Sequence, residues 1–219
     1  MKEETVMTIR KLREPGSAVT HLIALILTLA AAGPLIRVAG FTPDRKAALT
    51  VFVWSMATLY LASTLFHAIC ASPRSSLHLQ RFDHASIYLL IAGSYTPICV
   101  ISLDKPYGYE LLAVVWTIGL AGILATLFVR HFPKWISAVI YIAMGWMAAF
   151  SLPRLAGCLS IPALSWLVAG GIVYTIGGII YALKMENFNR RHPNFGNHEI
   201  FHLFVMAGSF CHFVMMFLL

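Results

Sequence analysis

Apolar residues recur along this chain in long runs, separated by short polar gaps. A helix needs about 20 apolar residues to cross a bilayer, and seven runs reach that length. They cover residues 17–38, 47–69, 82–102, 109–130, 134–153, 160–183 and 198–219. The gaps read "GFTPDRK", "SPRSSLHLQR", "LDKPYG", "RHFPK", "PRLAG" and "KMENFNRRHPNFG", rich in Gly, Pro and charge. None has room for a separate folded unit. The pattern therefore predicts an all-α integral membrane protein, a seven-transmembrane helix bundle. A short N-terminal segment, residues 1–16, precedes a single membrane domain, residues 17–219.

Composition agrees with the pattern. The 219 residues are 59% hydrophobic and 11% charged, with a mean hydropathy of +0.77. A soluble domain carries about 25% charged residues, so too little polar material is present to cover a globular surface. The net charge of +7 does not indicate a nucleic-acid binder, because the basic residues sit in the gaps between spans. There they act as topology signals. Eleven lie at the N-terminus and in the gaps after spans two, four and six; five, namely Arg37, Arg45, Lys46, Lys105 and Arg154, lie on the other side. The bias predicts a cytoplasmic N-terminus and an external C-terminus, with a bacterial inner membrane as the expected location. The first run has a basic front and an "AAAG" that resembles a signal-peptide cleavage site. It is expected to stay uncut, since cleavage would discard His21 and unbalance the topology. Cys70, Cys99, Cys158 and Cys211 show no metal or redox spacing and read as apolar filler.

Two features bear on packing. Gly170/Gly171 and Gly177/Gly178 in span six lie two turns apart, which lets a neighbouring helix approach closely. Pro97 inside span three is expected to kink it.

The polar residues inside the spans carry more information, because ionisable groups in a bilayer are costly. On the predicted topology, three separate segments bring such groups to one level at the cytoplasmic side: Ser63 and His67 end span two, Asp83 opens span three, and His198 and His202 open span seven. Ser63/His67 and His198/His202 are each i,i+4 pairs and so share a helix face. Two such histidines can direct ring nitrogens to one metal ion, and a third from another helix leaves one position for water. Asp83 is a candidate either to hold that water or to orient a ligand. His21, at the cytoplasmic end of span one, is a candidate to support the set. An interhelical hydrogen-bond network is the alternative reading. His78, His131 and His192 fall in loops and read as solvated, and His84 points about 100° away from Asp83 on a helix. His198 and His212 lie about 21 Å apart along one face. That is a dihaem spacing, but no second span carries matching histidines.

His198-Glu199-Ile200-Phe201-His202 is also a literal H-E-x-x-H, the zinc-protease pattern. Only seventeen residues follow it, none of them acidic. A downstream aspartate ligand, which intramembrane metalloproteases need, is therefore missing.

"STLFHAI", "FDHASIYLLIAGSYTP" and "HEIFHLFVMAGSFCHF", with "EPGSAVTH" before span one, closely resemble the hemolysin III family, bacterial relatives of the progestin and adipoQ receptors. The resemblance spans essentially the whole chain. It implies a seven-helix bundle with a zinc ion near the cytoplasmic face, held by His67, His198 and His202. It further implies that Asp83 binds the water on the metal, that Ser63 lies beside it, and that Glu199 is dispensable. Three functions follow as expectations. One is a zinc-dependent hydrolase of lipid amide or ester bonds, with Asp83 and Ser63 as catalytic residues. The second is a non-enzymatic regulator of lipid fluidity or membrane energetics with structural zinc. The third is the cytolysis of the family name. Membrane lipids, and an acyl chain or fatty acid within the bundle, are the expected partners. Nucleic acid is excluded, and the oligomeric state is open.

Overall fold

The computed structural model describes residues 12–130, 132–183, 185–192 and 195–219. Lys2, Arg10, Lys11 and Lys184 of the charge pattern, His131, and residues 1–11 of the expected N-terminal segment lie outside the described residues.

The described residues form helices α1 (Pro15–Val38), α2 (Pro43–Ala68), α3 (Pro73–Pro97, continued by a π-helical turn Ile98–Ser102), α4 (Tyr107–Phe128), α5 (Lys134–Phe150), α6 (Leu152–Cys158), α7 (Ile161–Ala182), α8 (Glu186–Arg191) and α9 (Asn197–Phe217). Six of these are long and apolar enough to cross a membrane, or seven if α5 and α6, bent by 55° at their junction, are counted together as one span. The expected spans match within a few residues, with one difference: α3 begins nine residues before the predicted run. Ser72 starts it by accepting a hydrogen bond from the Ser75 amide, and Pro73 occupies the first helical position, where no amide hydrogen is needed. Polar residues such as Arg74 and Gln80 sit on this first part of the helix, which hydropathy alone therefore read as a gap.

Proline also acts at the other end of α3. Pro97 cannot donate to the residue four positions back, and the helix changes from α to π register immediately after it. The junction of α5 and α6 is supported from α3 as well. The Tyr95 hydroxyl donates to the Met144 carbonyl at 2.8 Å and accepts from the Ala148 amide at 2.7 Å, engaging both ends of one rung of α5. Such side-chain bonds supply partners where a broken span would otherwise leave backbone groups in hydrocarbon.

Neighbouring pairs run α7–α9, α9–α1, α1–α2, α2–α3 and α3–α4, so the first and last helices lie side by side. α2 and α3 are the most enclosed (61% and 67% of their apolar windows buried), whereas α1, α4 and α7 are each 22% buried and turn Ile26, Leu124 and Ile179 outward. Outward apolar side chains suit a lipid surround.

The α7–α9 seam uses the glycines expected from the sequence, but one of each pair. A Cβ at Gly170 would run into the His212 ring, and one at Gly177 would meet Phe204 at 2.6 Å. In return the Tyr174 ring packs on Gly208. Gly171 and Gly178 face open space. His212 is thus a packing residue set into a notch of α7, edge-on to Tyr174.

Candidate metal centre

The end of α2, the starts of α1 and α9, and the first third of α3 converge at one end of the bundle. His67, His198 and His202 come together there, with one ligand atom from each within 4.8 Å of the others. His67 and His202 are each 2% exposed, and His198 is half-buried. The Nε2 atoms of His67 and His198 face each other at 3.3 Å. Two nitrogens held by one zinc ion at about 2.0–2.1 Å and a tetrahedral angle stand about 3.3–3.4 Å apart. The observed spacing therefore fits an edge of that tetrahedron, and the set can hold a metal ion.

Proton placement agrees. The Glu14 carboxylate meets His67 Nδ1 at 2.5 Å. The hydrogen bond from His67 holds Glu14 below the usual carboxylate range. A carboxylate only accepts, so His67 carries its proton on Nδ1 and presents the Nε2 lone pair to the centre. The Thr20 hydroxyl already donates to the carbonyls of Gly16 and Ser17, each at 3.0 Å. Its lone pair therefore faces His202 Nδ1, 3.5 Å away, and leaves Nε2 of that ring free as well.

Other side chains fix the rings. His21, buried at 3% exposure, stacks on His202 with ring centres 3.8 Å apart and planes 12° from parallel. The His21 ring also meets Tyr60, edge-on at 5.1 Å between ring centres. α9 is held at its start by α8. The Asn189 side chain accepts from the Asn197 amide at 2.8 Å and donates to the Asn197 side chain at 2.6 Å. This sets the turn from which His198 projects.

Glu199 is engaged elsewhere. One carboxylate oxygen accepts from the Gly196 amide at 2.8 Å, capping α9. The other accepts from the Ser17 hydroxyl at 2.7 Å, tying α9 to α1. Both oxygens serve helix placement, consistent with reading the literal H-E-x-x-H as two ligands around a structural residue.

Asp83 on α3 is half-buried, lies against Ser63 and stands within electrostatic reach of His67. The Ser63 hydroxyl is buried and faces the Asp83 carboxylate. All five residues singled out from the sequence thus meet at one end of the bundle. Glu14, Ser17 and Asn189 were missed. The offset of three from Gly196 to Glu199 carried the capping half of that arrangement. Glu14, in contrast, had no signal of its own, since it precedes the first span among charged neighbours.

A family model described as Haemolysin-III related matches residues 9–213. The chain is 41% identical over 199 residues to Hemolysin-3 of Bacillus cereus, covering 90% of this chain and 86% of that protein. It is 37% identical over 202 residues to a Hemolysin-3 homolog of Bacillus subtilis, covering 90% and 89%. The adiponectin receptor protein of Drosophila melanogaster is 27% identical over 166 residues, 69% of this chain and 37% of that receptor. The apolar helices and the bacterial relatives make this an integral protein of the bacterial inner membrane.

Proposed function

The chain belongs to the haemolysin-III-related family, and from that premise we propose that it is a seven-span protein that binds zinc through His67, His198 and His202 and hydrolyses a lipid amide or ester. The bent pair α5–α6 counts as one span. The N-terminus and the centre face the cytoplasm, and α9 ends outside, as the lysine and arginine bias requires. Residues 1–16 form a short cytoplasmic segment before the membrane domain. The observation that carries the metal is the 3.3 Å separation of the His67 and His198 Nε2 atoms. The observation that favours catalysis is the placement of Asp83 and Ser63 beside it.

Zinc, when bound, polarises a carbonyl and brings the pKa of a water toward about 7. The chain supplies the rest. Asp83, as a carboxylate, accepts the proton released by the attacking water and returns it to the amine or alcohol that leaves as the C–N or C–O bond breaks. The buried Ser63 hydroxyl donates to the substrate carbonyl oxygen as it gains negative charge. Glu14 and Thr20 keep the Nδ1 protons of His67 and His202 in place. An acyl chain approaches from the lipid between helices, which suits a membrane-derived substrate.

A second reading is a metal clamp without catalysis, and the cross-helix pattern favours it. A metal held by the three histidines fastens α2 to α9, and the Ser17–Glu199 hydrogen bond ties α1 to the same helix. Cytolysis, which the relatives' printed name suggests, is a third reading that no observation of the centre favours. Purified protein with zinc, incubated with ceramides and other acyl amides and esters beside Asp83→Asn, separates the first two. Turnover by the wild type alone supports the hydrolase. Zinc bound in both proteins with turnover in neither refutes it in favour of the clamp.

A further inference from the structure

The segment Leu12–Ser17, which enters α1, crosses the end of α2 and touches every helix that contributes to the centre. Glu14 makes two contacts with His67: its amide donates to the His67 carbonyl at 2.9 Å, and its carboxylate accepts from Nδ1 at 2.5 Å. His67 sits in the last turn of α2, where carbonyls lack intrahelical partners and the helix is prone to fray. The paired contacts fix both the backbone and the ring of this one residue.

The strap is itself tied down. Arg13 donates to Ser76 of α3 at 2.8 Å, lies over the Phe66 ring of α2 at 4.6 Å, and stands 3.4 Å from the second Glu14 oxygen. Ser17 donates to Glu199 of α9. The carboxylate is thus aimed at His67 from one side by Arg13 and from the other by the start of α1.

We propose that Glu14 is the positioning residue of the metal centre, fixing the tautomer and orientation of His67 from a strap outside the bundle, so that its carboxylate, and not docking of the strap alone, sets metal affinity. This rests on the metal reading above. Among the described residues, His198 has ring contacts with Tyr181 and Phe201 beside its ligand neighbours and lies within electrostatic reach of Glu199 and Glu14, while His202 has Thr20 at 3.5 Å and the stacked His21. His67 is the ligand whose ring is hydrogen-bonded to a carboxylate, and its Nε2 forms the short edge of the site. A neutral amide in place of Glu14 can donate to Nδ1 as readily as accept from it. That allows the tautomer with the proton on Nε2, which cannot bind metal.

The test measures zinc affinity by competition with a chelator, and the absorption spectrum of the cobalt-substituted protein, for wild type, Glu14→Gln, Glu14→Ala and Arg13→Ala. Loss of a carboxylate behind a ligating histidine typically weakens metal binding about 10- to 100-fold. Both Glu14 variants are expected to fall in that range with altered cobalt spectra. Arg13→Ala, which loosens the strap but keeps the carboxylate, is expected to lose less and to keep the wild-type spectrum. Thermal stability of the metal-free proteins controls for folding. Wild-type affinity and spectrum in a folded Glu14→Ala overturn the positioning role. Equal losses in Arg13→Ala and Glu14→Gln also overturn it, since docking alone would then suffice. Failure of the wild type to bind either metal refutes the metal reading itself, a distinct outcome.

Discussion

Replacing Glu199 separates the two meanings of H-E-x-x-H. In a zinc protease this glutamate is the general base, and its amide abolishes activity with metal retained. Here both oxygens are engaged in helix placement, accepting from the Gly196 amide at 2.8 Å and the Ser17 hydroxyl at 2.7 Å. Glu199→Gln keeps an acceptor for one donor, and its amide can donate to Ser17. The loss is then the charge at a helix N-terminus, about 0.3–1 kcal/mol. Glu199→Ala removes the cap, about 0.5–2 kcal/mol. It also strands the Ser17 hydroxyl, which is fully buried at 0% exposure, for about another 1–3 kcal/mol. The alanine variant is therefore expected to be destabilised by about 1.5–5 kcal/mol and the glutamine variant by under about 1 kcal/mol. Both should keep full zinc stoichiometry. The assay is denaturation in detergent micelles, paired with metal analysis and lipid turnover. Loss of turnover by orders of magnitude in a stable, zinc-loaded Glu199→Gln would refute the reasoning and restore Glu199 as a base.

Three further outcomes are expected. His67→Ala and His202→Ala should each lose zinc in metal analysis after dialysis while the bundle stays folded, and full retention in both sinks the centre. Gly170→Leu forces a branched side chain into the His212 ring, and overpacking of this kind costs about 1–3 kcal/mol; thermal denaturation should show the loss, with partial rescue by His212→Ala. A reporter enzyme active only outside the cytoplasm should be active when fused after Leu219 and silent when fused within the gap after α2, and the reverse pattern overturns the proposed orientation.

Much of the arrangement was legible because a bilayer simplifies the code. Backbone groups in hydrocarbon must pair internally, so each long apolar run becomes a helix. The i,i+4 relation then fixes which side chains share a face. This sufficed for Ser63 with His67 and for His198 with His202. Two kinds of feature were hidden. The early start of α3 depends on Ser72 and Pro73, local capping chemistry that a hydropathy window averages away. Glu14 depends on a contact across 53 positions between residues that lie in different elements. Nothing local distinguishes it from the charged residues beside it. The break between α5 and α6 is of the same kind, since its support comes from Tyr95 on another helix.

The first and last helices meeting at the centre has a consequence for biosynthesis. His67 and His198 are 131 positions apart, and Ser17 and Glu199 are 182 apart. α9 leaves the ribosome after every other described helix. Until it inserts, His67 stands without the two imidazoles that complete a chelate, and Ser17 lacks its acceptor. On the proposed metal reading, capture of the ion is thereby a late event in the making of the protein. A chain stalled before α9 would carry unmatched polar groups in the bilayer, a mark by which membrane quality-control proteases can tell unfinished molecules from finished ones.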